Sequence, residues 1–134
     1  MSRLLLDTSA YSAVRRGDKR LLAPIQEAAQ VFLTPVVIGE LLYGFLGGGL
    51  EPENRGLLRE FLESPRVEVL SVDEETAERY AVIRNYLRRQ GSPVPANDLW
   101  IAASAAQYGL RLLTLDEHFK SVPQVLLEYF DPPR

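Results

Sequence analysis

The sequence predicts an α/β fold built on a central parallel sheet, and three observations lead to this prediction. Short apolar segments that are typical of buried strands alternate with longer amphipathic segments that are typical of helices. Strands separated by helices form parallel sheets with right-handed crossovers. With 134 residues, 46% of them hydrophobic, the chain is large enough to bury a normal core, so we expect residues 1–134 to form a single domain.

The strands are predicted from short runs rich in leucine and valine. In chain order they cover residues 3–6, 31–33, 67–72, 112–115 and 124–127. These runs are long enough for strands and too short for ordinary helices. A single helical turn is predicted at residues 116–119, between the last two strands.

The helices are predicted from their periodicity and from residues that favour helix ends. In chain order they cover residues 9–16, 19–30, 35–46, 52–63, 74–90 and 97–108. Thr34 and Asp73 are good N-caps, and Pro35 suits the first turn of a helix. Residues 47–49 are all glycine and Gly109 follows the last helix, so helices are expected to end at both places.

Three tracts of the chain each contain a single charged residue, and each time it is a carboxylate. They are Asp7 in residues 4–14, Glu40 in residues 31–50 and Asp98 in residues 90–110. Burial of an unpaired carboxylate is costly, and a divalent cation compensates several carboxylates at once. The chain has no cysteine and one histidine, so a metal must be held mainly by oxygen, which favours Mg²⁺, Mn²⁺ or Ca²⁺.

The predicted topology brings these acids to one end of the sheet. Asp7 and Asp116 each follow a strand directly, while Glu40 and Asp98 lie in the first two turns of helices. In open parallel sheets, ligands bind beyond the carboxyl ends of the strands, where the strand order reverses. Three or four carboxylates around one or two Mg²⁺ or Mn²⁺ ions suit phosphodiester hydrolysis, because the ions activate water and neutralise the phosphate.

Each of these residues also has a simpler interpretation. Asp7 could cap a helix, Asp98 and Asp116 could be first-turn acids favoured by the helix dipole, and Glu40 could be solvated. The nearby hydroxyls could support the site or serve only as caps and turn residues; they are Thr8, Ser9 and Thr114. His118 is expected to be a surface or packing residue rather than a ligand.

Charge and hydropathy limit the partners. The net charge of −3 argues against strong non-specific adhesion to nucleic acid, so RNA would need local basic residues. Two clusters could supply them or be solvated faces; they are Arg15, Arg16, Lys19 and Arg20, and then Arg84, Arg88 and Arg89. The only tract of membrane length, residues 31–50, is interrupted by Pro35, Glu40 and five glycines, so we expect a cytoplasmic protein.

Four segments of the chain resemble the successive motifs of PIN-domain ribonucleases. They are residues 4–9 (LLLDTS), 40–44 (ELLYG), 97–103 (NDLWIAA) and 113–119 (LTLDEHF). Their order and spacing make the resemblance specific. The length of the chain is similar to that of the VapC-type toxins of toxin–antitoxin pairs.

The resemblance implies a three-layer α/β/α sandwich with a parallel sheet of about four to five short strands. It implies that Asp7, Glu40 and Asp98 bind Mg²⁺ or Mn²⁺, one or two ions, with Asp116 as a more variable fourth acid. It further implies a homodimeric endoribonuclease that cleaves transfer or ribosomal RNA and is silenced by a cognate antitoxin.

Two other functions stay open from the residues. In the first, Asp7 would be phosphorylated, as in receiver or haloacid-dehalogenase-like domains. Those domains need a second aspartate beside Asp7 or at position 9, where this chain has serine. In the second, the protein would be a non-catalytic PIN-like binding module, which the four complete acids argue against.

Overall fold

A parallel five-stranded sheet forms the centre of the protein. The computed structural model describes residues 2–133, and its strands are β1 (Arg3–Leu6), β2 (Gln30–Leu33), β3 (Val67–Val69), β4 (Arg111–Thr114) and β5 (Leu126–Tyr129). The strand order is β3-β2-β1-β4-β5, and every pairing is parallel. Leu4 pairs with Val31 of β2, and Leu5 pairs with Leu112 of β4. β1 therefore lies in the middle of the sheet.

Helices cover both faces of this sheet. Within residues 2–133 they are α1 (Thr8–Arg15), α2 (Leu22–Glu27), α3 (Pro35–Leu46), α4 (Glu51–Glu63), α5 (Glu74–Gln90) and α6 (Ala96–Tyr108), with 3₁₀ turns at Lys19–Leu21 and Glu117–Ser121. Right-handed connections place the helices between β1 and β3 on one face, and α5 and α6 on the other. The predicted three-layer α/β/α sandwich is confirmed. None of the helices in the described part of the chain is both long and apolar enough to cross a membrane.

The central strands are buried along their length and exposed only at their first residue. Arg3, Gln30 and Arg111 begin β1, β2 and β4, and the three residues after each of them are buried. Continuous burial is expected of a parallel sheet with helices on both faces. The residues that follow each strand therefore lie at the same edge of the sheet, the one formed by the carboxyl ends of the strands. The assignment of residues 1–134 to a single domain stays a prediction.

Most predicted helix ends are confirmed. The Thr34 hydroxyl accepts the N–H of Val37 at 3.1 Å and begins α3, which ends at Gly47. Asp73 caps α5 in a reciprocal capping box with Thr76. Gly109 ends α6 in the left-handed conformation, at φ 64°.

One predicted helix and two predicted strands differ from the structure by more than one residue at a boundary, because tertiary pairing sets these ends. The predicted helix over residues 19–30 ends at Glu27, since the N–H of Ala29 bonds to the carbonyl of Ser2 at the edge of the sheet. β3 stops at Val69 rather than residue 72, because its partner β2 ends at Leu33. β5 covers Leu126–Tyr129 rather than residues 124–127, in register with β4.

Candidate active site

The fold places the candidate site at the carboxyl ends of β1 and β4. The strand order reverses between these neighbours. From β1 the chain adds β2 and then β3 on one side, whereas β4 and β5 lie on the opposite side of β1. Asp7 follows β1 and Asp116 lies just beyond β4, while Glu40 and Asp98 come from α3 and α6. A crevice at such a reversal is where open α/β sheets bind ligands.

Asp7 is buried and caps α1 from inside the site. Only 3% of the residue is exposed, and its carboxylate accepts hydrogen bonds from the Ala10 N–H (2.8 Å), the Ser9 hydroxyl (2.8 Å) and the Thr114 hydroxyl (2.6 Å). Burial raises the pKa of Asp7 from its ordinary 3.8 to about 6, opposed by these hydrogen bonds and assisted by the charge of Asp116. The capping role and the site role therefore belong to the same carboxylate.

The Ser9 and Thr114 hydroxyls join the two strand ends. Ser9 Oγ accepts the N–H of Leu115 at 3.0 Å, and Thr114 Oγ1 accepts the N–H of Asp116 at 2.9 Å. Both hydroxyls also donate to Asp7. They therefore fix the position of the Asp7 carboxylate relative to the backbone that carries Asp116.

Glu40 is held by two other polar side chains. Thr8 Oγ1 donates to Glu40 Oε1 at 2.5 Å, and Asn97 Nδ2 donates to Glu40 Oε2 at 3.3 Å. These bonds join α1, α3 and α6 above the sheet. The structure thus brings Thr8, expected as a supporting hydroxyl, against Glu40 rather than against Asp7.

Asp98 and Asp116 meet at the imidazole of His118. His118 Nδ1 lies 3.1 Å from Asp98 Oδ2 and 3.1 Å from Asp116 Oδ1, and one ligand atom from each of the three side chains lies within 4.8 Å of the others. Burial of Asp98, and then the charge of Asp116, raise the pKa of Asp98, while the contact with His118 opposes the rise. His118 is a surface residue as expected, but it also contacts two site carboxylates, which the sequence analysis missed.

The sequence contained an indication of this contact, because His118 follows Asp116 closely along the chain. The 3₁₀ turn over Glu117–Ser121 folds the chain back, and Asp116 Oδ1 caps it by accepting the N–H of His118 at 2.9 Å. This turn places the side chains of Asp116 and His118 side by side. A single turn was predicted at residues 116–119, so the proximity was available in principle.

The four acids influence one another electrostatically. The charge of Asp116 raises the pKa of Asp7 and of Asp98, and the charge of Glu40 also raises that of Asp98. Among the ion pairs of residues 2–133, none joins a lysine or arginine to any of the four. Clustered carboxylates that pair with no lysine or arginine among the described residues fit a hard divalent cation, which prefers oxygen ligands.

The first basic cluster divides into occupied and available side chains. Arg15 donates to the hydroxyl of Tyr11, and Arg20 pairs with Asp18 at 2.7 Å. Arg16 instead lines an open cleft together with Asp116 and His118. Arg16 is therefore a member of this cluster that shares a cleft with one of the four acids, Asp116.

Comparisons with known proteins cover three quarters of the chain or more. Residues 4–125 match the family model of the PIN domain. The chain is 32% identical to Ribonuclease VapC4 of Mycobacterium tuberculosis over 125 residues, which cover 92% of this chain and 93% of that protein. It is 31% identical to the tRNA(fMet)-specific endonuclease VapC of Salmonella typhimurium over 102 residues, covering 75% of each.

The structural comparison agrees. The fold superposes with a TM-score of 0.74 on a crystal structure of VapBC-5 from Mycobacterium tuberculosis, a member of the VapBC family of toxin–antitoxin systems. The sequence identity is 28%, and the match covers 98% of this chain and 100% of that chain. The region matched by the family model includes all four candidate acids.

Proposed function

This chain belongs to the PIN-domain family, and from this premise we propose that it is a metal-dependent endoribonuclease, the toxin of a type II toxin–antitoxin pair. One observation carries the proposal: four carboxylates that pair with no lysine or arginine in the described part of the chain lie together at the carboxyl ends of β1 and β4. Such a cluster is costly unless a cation balances it. The relatives named ribonuclease supply the reaction class.

In this proposal, Asp7, Glu40, Asp98 and Asp116 hold one or two Mg²⁺ or Mn²⁺ ions. A divalent ion supplies Lewis acidity toward the phosphate and a nucleophilic water at neutral pH. The protein contributes orientation: Ser9 and Thr114 hold Asp7, and Thr8 and Asn97 hold Glu40. Outer hydrogen bonds of this kind orient metal ligands and tune their affinity.

The rival chemistry at Asp7 has less support. The phosphorylated aspartate of receiver or haloacid-dehalogenase-like domains works with a second aspartate beside it or at position 9, whereas position 9 here is a serine whose hydroxyl donates to Asp7. A non-catalytic module would have no reason to keep four acids in one repulsive cluster, which lowers stability without a cation. The first rival also leaves the likeness to ribonucleases unexplained.

The proposed partners are RNA, an antitoxin and a second copy of the chain. We propose transfer RNA as substrate because a relative is a tRNA(fMet)-specific endonuclease, with ribosomal RNA as the alternative that the family resemblance implies. The cytoplasm, where these RNAs act, is then the proposed site of action. An antitoxin is proposed because the structural relative belongs to a toxin–antitoxin system. Exposed apolar residues at the end of α3 offer a protein-binding surface; they are Tyr43, Leu46 and Leu50.

The test is cleavage of purified transfer RNA and ribosomal RNA with Mg²⁺ or Mn²⁺, and with a chelator. Asp98→Asn is expected to lower the cleavage rate by at least about 100-fold, which corresponds to about 2.7 kcal/mol of barrier. Glu60→Gln, an exposed acid on α4, is the matched control and should retain full activity. Equal cleavage by Asp98→Asn and the parent, or cleavage in chelator, would show the site assignment to be wrong.

A further inference from the structure

The single histidine of the chain lies against two of the proposed metal ligands. We propose that His118 Nδ1 is itself a ligand of the ion held by Asp98 and Asp116. The site would then have one nitrogen donor among its oxygens and would bind nitrogen-preferring cations such as Co²⁺ and Ni²⁺ more tightly than carboxylates alone would allow. This inference rests on the proposed metal centre.

The geometry fits one shared ion. Adjacent ligands of an octahedral ion, with bonds of about 2.1 Å at right angles, lie about 3 Å apart. His118 Nδ1 is 3.1 Å from Asp98 Oδ2 and also 3.1 Å from Asp116 Oδ1. Both spacings therefore match an edge of such a coordination shell. One ligand atom from each of the three side chains lies within 4.8 Å of the other two, so the three side chains are grouped closely enough to share an ion.

The turn that carries His118 is anchored at its base. Phe119, the next residue, is fully buried in the core, and Asp116 caps the same turn through the N–H of His118. The imidazole itself is half-exposed, with 52% of the side chain accessible. An ion from solvent can reach Nδ1, while the backbone holds the ring near the carboxylates.

The competing interpretation is that Nδ1 carries a proton and donates a hydrogen bond to the carboxylates. Second-layer histidines and carboxylates of this kind support metal ligands without touching the ion. The two roles exclude each other, because an Nδ1 that bears hydrogen has no lone pair for a cation. A measurement that detects nitrogen bound directly to the ion separates them.

The decisive experiment is electron spin echo spectroscopy of Mn²⁺ bound to tag-free protein. With a single histidine in the chain, directly bound imidazole nitrogen can come only from His118. We expect a ¹⁴N coupling that changes to ¹⁵N when histidine is labelled and that disappears in His118→Phe. Mn²⁺ bound without any imidazole coupling in the parent protein overturns the inference and leaves the metal centre standing.

Calorimetric titration gives a second readout. His118→Phe is expected to weaken Ni²⁺ binding by about 10-fold or more and Mg²⁺ binding much less, because imidazole favours the later transition metals. Ser121→Ala, an exposed change in the same turn, is the matched control and should leave both affinities unchanged. Equal losses for Ni²⁺ and Mg²⁺ contradict the inference.

The outcomes separate the two proposals. If neither Mn²⁺ nor Mg²⁺ binds the parent protein, the proposed metal centre fails and the inference fails with it. If Mg²⁺-dependent cleavage and Mn²⁺ binding persist without nitrogen coupling, only the ligand role of His118 is wrong. Circular dichroism of each variant verifies that the fold is retained.

Discussion

At the scale of single residues, two opposing effects act on the ionisation of Asp7. Its oxygens cap α1 and accept two hydroxyls, which favours the ionised form, but burial disfavours that form more strongly. The net result is a pKa near 6. An ionised Asp7 is thus a cost to the metal-free fold at neutral pH, and the same residue is placed where a cation would reverse that cost.

Asp7→Asn is expected to stabilise the metal-free protein at pH 7. The pKa of Asp7 is about 6 in the fold against an ordinary 3.8, so the folded state binds the proton more tightly, and stability falls as pH rises from about 4 to about 6. The difference amounts to at most about 3 kcal/mol. Urea unfolding in chelator at pH 4 to 8 measures it: the variant should lose this pH dependence, and Mg²⁺ should stabilise the parent more than the variant. A variant less stable than the parent at every pH would assign Asp7 a purely structural role.

Thr114→Val is expected to destabilise the fold and the site together. The substitution keeps the shape but removes the hydroxyl that donates to Asp7 and accepts the N–H of Asp116, in a position with no exposure. An unsatisfied buried polar group costs about 1–3 kcal/mol. Unfolding and RNA cleavage should both report the loss, and Thr114→Ser should restore them. If Thr114→Ser behaves like valine, packing of the methyl group matters and the hydroxyl does not.

At the scale of elements, local chemistry determined what could be predicted from the sequence. Thr34 and Asp73 begin their helices as predicted because a cap needs only the next few residues. Neighbouring residues could not predict that α2 ends at Glu27 or how long β3 is, because pairing with strands that are distant in sequence sets both. The rule about strand carboxyl ends predicted the place of the four acids from topology alone.

Distances within the site depended on side-chain contacts that topology does not contain. The sequence indicated that Glu40 and Asp98 approach the cleft, but the Thr8 and Asn97 bonds that hold Glu40 come from three different helices. His118 was missed because oxygen-ligated metals do not require an imidazole. That argument does not consider the 3₁₀ turn, which places the imidazole of His118 against Asp98. Reasoning from the chemistry of each residue type thus predicted the four acids but not the histidine that contacts two of them.

Asn97→Ala tests whether the link between α3 and α6 matters for activity. Asn97 is exposed and donates to Glu40 Oε2, so its loss should leave stability within about 0.5 kcal/mol of the parent, as for most surface changes. Cleavage should fall by about 10-fold, because an outer hydrogen bond to a metal ligand is lost. Asn85→Ala, on the exposed side of α5, is the control. Full activity in Asn97→Ala would mean that Thr8 alone orients Glu40.

At the scale of the whole molecule, the negative charge of the protein and of its site opposes the binding of RNA phosphates. The chain has a net charge of −3, and four acids converge where the phosphate must bind. A cation removes part of this repulsion, but phosphates flanking the cleaved bond still need basic partners, since arginine and lysine supply most phosphate contacts. Arg16 lines the same cleft as Asp116, whereas Arg15 donates to Tyr11 and Arg20 pairs with Asp18.

Arg16→Gln is therefore expected to weaken RNA binding without slowing the bound reaction. KM should rise several-fold at nearly constant kcat, and the slope of log affinity against log salt should decrease by about 1, the value for one lost phosphate contact. Arg79→Gln is the matched control: it also removes one positive charge, but Arg79 pairs with Glu75 and lies beside Ala106 in the last turn of α6, away from the carboxylates. If both variants reduce the slope equally, RNA responds to the overall charge of the protein, and the position of Arg16 in the cleft has no special role.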